Sequence, residues 1–340
     1  MNPAQLLEER TAVVTGVGGW VPPHVVTNED LSAHLDTSDE WIRTRTGIRT
    51  RHRVSPGMAT SDLAVEAGQR ALASSGDARA GAVVLATTTP DRICPATAPE
   101  VAARVGLAGV PAFDVSAVCT GFLYGLATAA GLIATGLTDR VLLIGADAFT
   151  TIVDPTDRST AVIFADGAGA VVLRAGHPDE PGALGPVVLG TDGTLSHLIR
   201  VPAGGSRQRS LRRPQEPGEE YFQMEGRDTF RHAVDRMTTA SRQAVASTGW
   251  SIGDIDRFAA HQANARILTA VADRLGIPAE HQLSNIAEVG NTGAASIPLL
   301  LAQSHADGGL TSGHRTLLTA FGGGLAWGAT TLTWPKLPAS

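Results

Sequence analysis

Short apolar runs of strand length alternate along the chain with longer segments of helical length. Buried strands are predicted where polar positions nearly disappear, at residues 11–19, 81–88, 110–116, 140–146, 258–260, 315–320 and 329–334. Helices are predicted between them, at residues 60–75, 98–105, 122–136, 226–248, 265–275 and within 288–301. This alternation of strands and helices predicts the α/β class.

Two glycine-containing segments need separate interpretation. Residues 161–173, AVIFADGAGAVVL, predict a hairpin that turns at Asp166 and Gly167, because Asp-Gly is a favoured hairpin-turn dipeptide. Residues 11–19, TAVVTGVGG, are similar to a dinucleotide-binding turn, but Pro22 and Pro23 follow where a helix would have to begin. A nucleotide-binding βαβ unit is therefore not predicted there.

The two halves of the chain repeat one order of elements at an offset of roughly 175 residues. In the first half, the strands VVLATT and RVLLIGA flank VCTGFLYGLATAA, a turn that leads into a helix of small residues. In the second half, FAAHQA and RTLLTAF flank GNTGAASIPLLLA in the same way. The repeat predicts a duplicated βαβαβ unit, with one half at residues 11–180 and the other at 181–336, packed helix layer against helix layer.

The composition argues against several classes of function. The 340 residues are 43% hydrophobic and carry a net charge of −6, so the positive charge that nucleic-acid binding needs is missing. Two cysteines, Cys94 and Cys119, are too few for a disulfide framework or a cysteine-rich metal site. Lys336 is the only lysine, so Schiff-base and phosphate-loop lysine chemistry are not expected. The polar segment MNPAQLLEER and the interrupted apolar runs predict a cytoplasmic protein without a membrane partner.

Cys119 lies where an apolar strand ends and a helix begins, in DVSAVCTGFLYG. A thiol at that position faces the positive end of the helix dipole and free backbone N–H groups, which favour the thiolate. Two interpretations stay open on this segment alone. Cys119 is either a catalytic nucleophile or one of the many buried cysteines that only pack.

Three further segments supply partners for Cys119 if the two halves face each other. The turn before the second small-residue helix then brings Asn291 opposite Cys119, and His261 arrives at the end of a neighbouring strand. The segment FGGGLAWG holds Gly322 to Gly324, whose backbone can approach a reacting carbon more closely than that of a bulkier residue. The N–H groups of Gly323 and Cys119 are predicted to form an oxyanion hole for acyl transfer.

Residues 36–53, DTSDEWIRTRTGIRTRHR, are rich in arginine and also allow two interpretations. The commoner one is a solvated basic face. The other is a site for an anionic ligand, in which Trp41 stacks on a base and Arg45 lies beside it.

Six segments, taken in order, resemble the β-ketoacyl-acyl carrier protein (ACP) synthase III family of the thiolase superfamily. They are DTSDEWIRTRTGIR, VCTGF, DPTDRSTAVIFADGAGA, HQAN, GNTGAASIP and FGGGLAWG. The resemblance runs from residue 11 to residue 334, nearly the whole chain. It implies a homodimer with a thiolase-like fold of five layers, αβαβα, and a catalytic triad at Cys119, His261 and Asn291.

The resemblance implies a decarboxylative Claisen condensation. Cys119 would take the acyl group of an acyl-CoA primer, and malonyl-ACP would then lose CO2. The resulting enolate, stabilised by hydrogen bonds from His261 and Asn291, would attack the acyl-Cys119. The products would be β-ketoacyl-ACP, CO2 and CoA, in the initiation step of fatty acid or aromatic polyketide synthesis. No metal or redox cofactor is implied, and the implied partners are acyl-CoA, ACP and a second copy of the chain.

The resemblance also implies where the substrates bind. CoA would lie along a tunnel, with its adenine between Trp41 and Arg158 and a phosphate near Arg45. The implied tunnel residues are Thr37, Trp41, Arg45, Arg158, Met224, Gly226 and Asn264. Arg231 and Arg266 lie where the family presents positive charge to the acidic ACP, which would be a local patch on an acidic chain.

Substrate choice is expected to depend on the acyl pocket. Cys94 lies in the loop 89–97, TPDRICPAT, which reaches the partner subunit's acyl pocket in related enzymes, and Phe321 is expected beside Cys119. Since some relatives carry a bulky aromatic residue in place of Cys94, its small side chain predicts longer or branched primers rather than acetyl. The main alternative is a related acyltransferase that moves the acyl group from CoA to a hydroxyl, amine or carrier without decarboxylation. An inactive partner subunit is disfavoured, because such subunits lack the nucleophile.

Overall fold

The computed structural model describes residues 10–338, so most of the polar segment at residues 1–10 lies outside the described residues. Its strands are β1 Thr11–Trp20, β2 His24–Thr27, β3 Thr50–Arg53, β4 Ala82–Ala86, β5 Ala112–Val115, β6 Arg140–Ala148, β7 Asp166–Gly176, β8 Val188–Thr191, β9 Ile199–Arg200, β10 Gln223–Met224, β11 Arg257–Ala260, β12 Arg315–Gly322 and β13 Ala326–Thr333. Its helices are α1 Asn28–Ser32, α2 Asp39–Thr46, α3 Thr60–Ser74, α4 Ala98–Arg104, α5 Gly121–Ala134, α6 Arg158–Ala161, α7 Ser206–Ser210, α8 Gly226–Ser247, α9 Ala265–Leu275, α10 Ile286–Val289 and α11 Ser296–Ala306. None of these helices has the length and apolar composition of a membrane span.

Two mixed sheets, one from each half of the chain, form the centre of the molecule. The first has the strand order β1-β7-β6-β4-β5, and β4 is parallel to both β5 and β6 because helices return the chain to the same edge. The second has the order β11-β12-β13-β8, with β11 parallel to β12. The counterpart of β5 in this second sheet is reduced to a single bridge between Phe258 and Gln282. The two halves therefore share a topology but not a strand count.

Helices α5 and α11 lie between the two sheets. One core cluster joins apolar side chains of these helices to strand residues of both sheets, among them Val84 and Leu318. Helices α3 and α4 cover the outer face of the first sheet, and α8 and α9 pack on the outer face of the second. The five-layered αβαβα architecture predicted from the sequence is confirmed.

Glycines on β6 and β7 allow α11 and the turn before it to lie directly on the first sheet. A Cβ at Gly169 would lie 2.2 Å from the backbone nitrogen of Leu299, and one at Gly145 would lie 2.4 Å from the carbonyl oxygen of Ala294. Any side chain at these positions would therefore push the segment away. That segment carries Asn291, so the two glycines set how deeply this residue enters the molecule.

The predicted hairpin at residues 161–173 is wrong. Helix α6 ends at Ala161, and Asp166 begins β7, a single strand that pairs with β6 on one side and β1 on the other. The Asp166 carboxylate is fully buried and accepts hydrogen bonds from the backbone nitrogens of Val54 (2.7 Å) and Thr150 (2.8 Å). These tertiary contacts replace the local turn that Asp-Gly favours in isolation.

The first sheet uses residues 11–176 and the second uses residues 188–333. The segment between them bonds to both, because Gly182 accepts from the backbone nitrogen of Val14 (2.8 Å) and donates to the carbonyl of Thr333 (2.7 Å). The boundary drawn between residues 180 and 181 stays a prediction.

Candidate active site

Cys119 lies in a single turn of 3-10 helix, Val118–Thr120, between the end of β5 and the first residue of α5. The preceding residue, Val118, has a φ of 48°, a region of backbone conformation that β-branched residues rarely enter. This tight junction places Cys119 immediately before the amino end of a buried helix, as the sequence predicts.

His261 directly follows β11, and its backbone nitrogen donates to the carbonyl of Thr319 (2.8 Å). The next residue, Gln262, is almost fully buried and anchors this junction, because its backbone nitrogen donates to Ser296 Oγ (2.7 Å) and its Oε1 accepts from the backbone nitrogen of Asn285 (3.1 Å). The His261 ring is therefore presented at the end of the strand by a rigid turn. Sequence reasoning noted the HQAN segment but missed the anchoring role of Gln262.

Asn291 is held by backbone bonds on both sides. Its nitrogen donates to the carbonyl of Ile163 (3.0 Å), and its carbonyl accepts from the nitrogen of Ala165 (2.8 Å). Its side-chain Oδ1 accepts from the backbone nitrogen of Gly293 (3.0 Å), and Nδ2 lies 3.4 Å from the carbonyl of Ala263. The amide orientation is thus set by the backbone, and Nδ2 is its donor end.

One cavity of about 210 Å³ brings Cys119, His261 and Asn291 together. Gly322 and Gly323 line it beside Cys119, and a Cβ at Gly322 would lie 2.9 Å from the Cys119 nitrogen. Glycine is therefore required for this close approach. The other lining residues are mainly apolar and include Ile163, Phe164, Ile199, Phe222, Met224, Phe230, Met237, Ile267 and Phe321.

Burial determines the charge of the two titratable side chains in the cavity. Desolvation raises the pKa of the Cys119 thiol to about 12, and the negative charge of Asp147 adds to the increase. Desolvation also lowers the pKa of His261 to about 4, and among the described residues its buried Nδ1 has no hydrogen-bond partner. Burial and the charge of Asp147 therefore act against the thiolate that the amino end of the helix favours. Both groups are neutral at pH 7.

The residues assigned to the outer end of the tunnel lie at the surface. The guanidinium of Arg45 lies 4.5 Å from the Trp41 ring centroid, and that of Arg158 lies 4.7 Å from it and donates to the carbonyl of Asp36. Arg266 joins Trp41 and Arg45 in lining a shallow depression. The Trp41 ring is thus covered by two guanidinium groups.

Of the residues assigned to the inner part of the tunnel, three line the cavity and one does not. Met224, Gly226 and Asn264 line the cavity, and Asn264 also caps α9 by accepting from the backbone nitrogen of Ile267 (3.0 Å). Thr37 does not line it, and its buried Oγ1 has no hydrogen-bond partner among the described residues.

The remaining predicted site residues lie apart from one another. Phe321 lines the cavity, whereas Cys94 is exposed on its loop and does not line it. Arg231 and Arg266 are both exposed, and Arg231 pairs with Asp228 (3.1 Å).

Two features of the site were missed at the sequence level. Phe149, Phe164 and Phe222 form an aromatic cluster, with the first two rings stacked at 4.4 Å and Phe222 edge-on to both. Asp147, fully buried, lies behind Cys119 and Asn291. The available signal for Asp147 was a lone acidic residue inside the apolar strand RVLLIGADA.

Comparisons with known proteins agree with this geometry. Two family models match, 3-oxoacyl-[acyl-carrier-protein (ACP)] synthase III at residues 113–193 and its C-terminal counterpart at residues 245–334. The chain is 58% identical to beta-ketoacyl-[acyl-carrier-protein] synthase III 3 of Streptomyces coelicolor over 96% of this chain and 98% of that protein. It is 51% identical to beta-ketoacyl-[acyl-carrier-protein] synthase III of Pseudomonas aeruginosa PAO1, over 96% and 98% of the two chains.

Solved structures give the same result. The crystal structure of 3-oxoacyl-(acyl carrier protein) synthase III from Pseudomonas aeruginosa PAO1 superposes with a TM-score of 0.91 at 50% identity, over 96% of this chain and 99% of that one. The priming β-ketosynthase from the R1128 polyketide biosynthetic pathway superposes with a TM-score of 0.90 at 34% identity, over 97% and 98%.

Proposed function

Since the chain belongs to the β-ketoacyl-ACP synthase III family, we propose that Cys119, His261 and Asn291 carry out the reaction of that family at the base of the cavity. That reaction is the condensation of an acyl-CoA primer with malonyl-ACP, and the enzyme works with both substrates. The shared cavity supports this assignment, because it holds a thiol, an imidazole and an amide donor beside glycine backbone.

In the first half-reaction, Cys119 Sγ attacks the thioester carbonyl of the acyl-CoA. The neutral His261 ring takes the thiol proton as the bond forms, so the high pKa of Cys119 is no obstacle. The N–H groups of Cys119 and Gly323 stabilise the oxyanion. The C–S bond to CoA then breaks, and the proton moves from His261 to the departing CoA sulfur.

In the second half-reaction, the malonyl thioester of ACP occupies the same cavity. The ring proton of neutral His261 first exchanges through solvent to the nitrogen that faces the cavity. This N–H and the Nδ2 of Asn291 then donate to the thioester oxygen, and CO2 leaves to give an enolate. The enolate carbon attacks the acyl carbonyl, the bond to Cys119 breaks, and the sulfur takes a proton from solvent. The chemistry uses no metal or redox cofactor, and the products are β-ketoacyl-ACP, CO2 and CoA.

The substrate-binding residues follow from their positions. We assign the pantetheine arm to the cavity lined by Met224, Gly226 and Asn264, and the nucleotide to Trp41 and the adjacent arginines. An adenine between Trp41 and Arg158 requires that Arg158 swing away from the ring, which it now covers at 4.7 Å. Thr37 lies just before this region, and its buried hydroxyl would have to become exposed before it could bond to a ligand.

The protein partner and the second subunit complete the proposal. Arg231 and Arg266 offer exposed positive charge to an acidic ACP on a chain of net charge −6. We propose a homodimer in which the loop holding Cys94 reaches the partner's cavity. A small residue there supports longer or branched primers.

The test is a two-step assay on the purified protein. Incubation with a panel of acyl-CoAs should add one acyl mass to the wild type and none to Cys119→Ala, and the best substrate names the primer. Adding malonyl-ACP should then release CO2 and the β-ketoacyl-ACP. No adduct from any acyl-CoA would refute the role of Cys119. Acyl transfer without CO2 release would identify a non-decarboxylating acyltransferase instead.

A further inference from the structure

Asp147 is a buried carboxylate near the end of β6 for which neither half-reaction has a use. It is fully buried. Its Oδ1 accepts from the backbone nitrogens of Thr88 (2.6 Å) and Thr89 (3.2 Å) and from the hydroxyls of Thr87 (3.1 Å) and Thr89 (3.2 Å). Its Oδ2 accepts from the backbone nitrogen of Ala294 (2.7 Å). One carboxylate therefore holds two turns, one from each half of the chain.

The turn held by Oδ2 is the one that orients Asn291. The nitrogen of Gly293 donates to Asn291 Oδ1, and the next nitrogen, that of Ala294, donates to Asp147. Gly293 has a φ of 59°, and a Cβ on it would lie 2.3 Å from Asp147 Oδ2. The turn thus lies directly against the carboxylate, and the two successive N–H groups tie the Asn291 amide to Asp147.

The turn whose groups donate to Oδ1 leads into a different segment of the chain. Residues 87–89 follow β4 and open the loop 89–97, which carries Cys94. Asp147 is therefore the point at which this loop and the Asn291 turn are joined across the layers.

Simple packing does not account for an acid at this position. All the groups that bond to Asp147 are donors, and among the described residues no cationic side chain donates to it. An unpaired buried charge is costly, and this one also disfavours the thiolate of Cys119. Only a carboxylate, however, can accept hydrogen bonds from donors on both of its sides.

We propose that Asp147 is a positioning residue for the decarboxylation step, holding the Asn291 turn so that Nδ2 meets the malonyl thioester oxygen. This rests on the function proposed above for Asn291. Acylation of Cys119 does not use Asn291, so loss of Asp147 should separate the two half-reactions.

The first test is Asp147→Asn, because an amide accepts on one side only and presents N–H groups to the donors on the other. Acylation by the best acyl-CoA, followed by mass spectrometry in a single turnover, should stay within about threefold of the wild type. Condensation of the preloaded acyl-enzyme with malonyl-ACP should slow on the order of tenfold to a hundredfold, less than the loss of a direct oxyanion donor. Equal loss in both half-reactions, or condensation at the wild-type rate, would overturn the proposal.

A second readout separates positioning from a general packing defect. Asp147 and His261 are the titratable groups that neighbour the Cys119 thiol within the site, and only Asp147 is negative. Alkylation of the free enzyme by iodoacetamide should therefore shift to lower pH in Asp147→Asn, since the repulsion of the thiolate is gone. Alkylation that is lost or much slower at every pH would instead show a general packing defect around Cys119, which would overturn the proposal.

Two further variants serve as control and as support. Asp62→Asn changes another carboxylate that accepts from a backbone nitrogen, but it lies on the outer helix α3 and does not line the cavity, so it should alter neither the ratio of half-reactions nor the alkylation profile. Gly293→Ala keeps the charge of Asp147 but displaces the turn, and it should reproduce the condensation defect without the alkylation shift. If Asp147→Asn does not fold, Gly293→Ala decides, and condensation there at the wild-type rate refutes the inference.

Failure of the proposed function is visible in the wild type. A wild-type enzyme that becomes acylated but releases no CO2 from malonyl-ACP overturns both proposals. A wild type that condenses normally, alongside an Asp147→Asn variant that does so equally well, overturns only the role of Asp147.

Discussion

Cys119 and His261 are both neutral in the resting protein, because burial opposes charge on either group. The pKa of the thiol is raised to about 12 and that of the imidazole is lowered to about 4. A preformed thiolate–imidazolium pair is therefore disfavoured, and the thiol loses its proton only as it attacks. A neutral imidazole can accept the thiol proton in the first half-reaction and can donate an N–H to the malonyl thioester in the second. A cationic side chain can only donate.

This charge state predicts a flat pH profile for acylation. Between pH 7 and pH 9 neither group changes its charge and Asp147, with a pKa of about 6, stays ionised, so the single-turnover rate of Cys119 acylation should vary less than about threefold. Rapid quenching followed by mass spectrometry measures this rate, with His261→Ala as the control that should be much slower at every pH. A tenfold increase per pH unit in this range would show a thiolate route.

At the scale of elements, three segments meet in the aromatic cluster beside the cavity. Phe149 follows β6, Phe164 precedes β7, and Phe222 precedes β10. Phe164 and Phe222 line the cavity, whereas Phe149 stacks on Phe164 from behind. Stacked and edge-on rings hold these connections rigid, so one wall of the cavity is built from non-regular segments fixed by packing.

We expect Phe222→Leu to widen this wall. The smaller side chain should lower the free energy of unfolding by about 1–3 kcal/mol, measured by urea denaturation. It should also raise the acylation rate with long or branched acyl-CoAs relative to acetyl-CoA. Phe258→Leu is the matched control, since Phe258 is buried in the same core but does not line the cavity, and it should lose stability without changing the order of primers. An unchanged order of primers in Phe222→Leu would show that this wall does not contact the acyl group.

At the scale of the whole molecule, the halves are joined through the site itself. The carboxylate of Asp147 bonds to Thr87–Thr89 turn residues in one half and to Ala294 in the other, and Phe164 forms a β-bridge with Asn291. The contacts that join the halves and those that hold the site are therefore in part the same. This coupling makes stability depend on the buried titratable groups of the site.

Two of these groups, His261 and Asp147, have opposite effects on the stability of the folded protein as the pH falls. The folded-state pKa of His261, about 4, lies below its usual 6.5, so the folded protein loses stability as the pH falls from 6.5 to 4. The folded-state pKa of Asp147, about 6, lies above its usual 3.8, so the folded protein gains stability as the pH falls from 6 to 3.8. The Asp147→Asn variant removes the gain in stability that comes from Asp147 and keeps the loss that comes from His261.

Its free energy of unfolding should therefore fall more steeply than that of the wild type between pH 6 and pH 4. The difference in slope should approach about 1.4 kcal/mol per pH unit. Urea denaturation at several pH values measures it. Parallel curves for the two proteins would show that Asp147 is already ionised with an ordinary pKa in the folded state.

The proposed dimer gives a second prediction at this scale. Cys94 is exposed in the isolated subunit, so Cys94→Phe should leave folding unchanged. If the loop enters the partner's cavity, the added ring should reduce acylation by long or branched acyl-CoAs and spare acetyl-CoA. Cys94→Ser, which keeps the size, should behave as the wild type. An unaltered primer range in Cys94→Phe would place the loop away from the acyl group.

Much of the fold could be predicted because its signals are local. The apolar runs of the strands and the repeat of turn and small-residue helix determine the elements and the layered architecture. The prediction of a hairpin at Asp166 and Gly167 was wrong because the local turn preference competes with hydrogen-bond donors from distant segments. These donors, the backbone nitrogens of Val54 and Thr150, cannot be predicted from the sequence of the segment itself.

The order of elements and the duplicated halves can be predicted from the chain alone, because helix and strand periodicity are local properties. The five layers and the residues that meet at Cys119 were implied by the family resemblance, which rests on motifs such as HQAN, GNTG and FGGG. The charge and orientation of these side chains depend on the folded structure. Desolvation depends on everything packed around a group, so the raised pKa of Cys119 could not be predicted from its own segment. Likewise, Asp147 connects turns distant in sequence, and no local pattern shows which donors a buried carboxylate will meet.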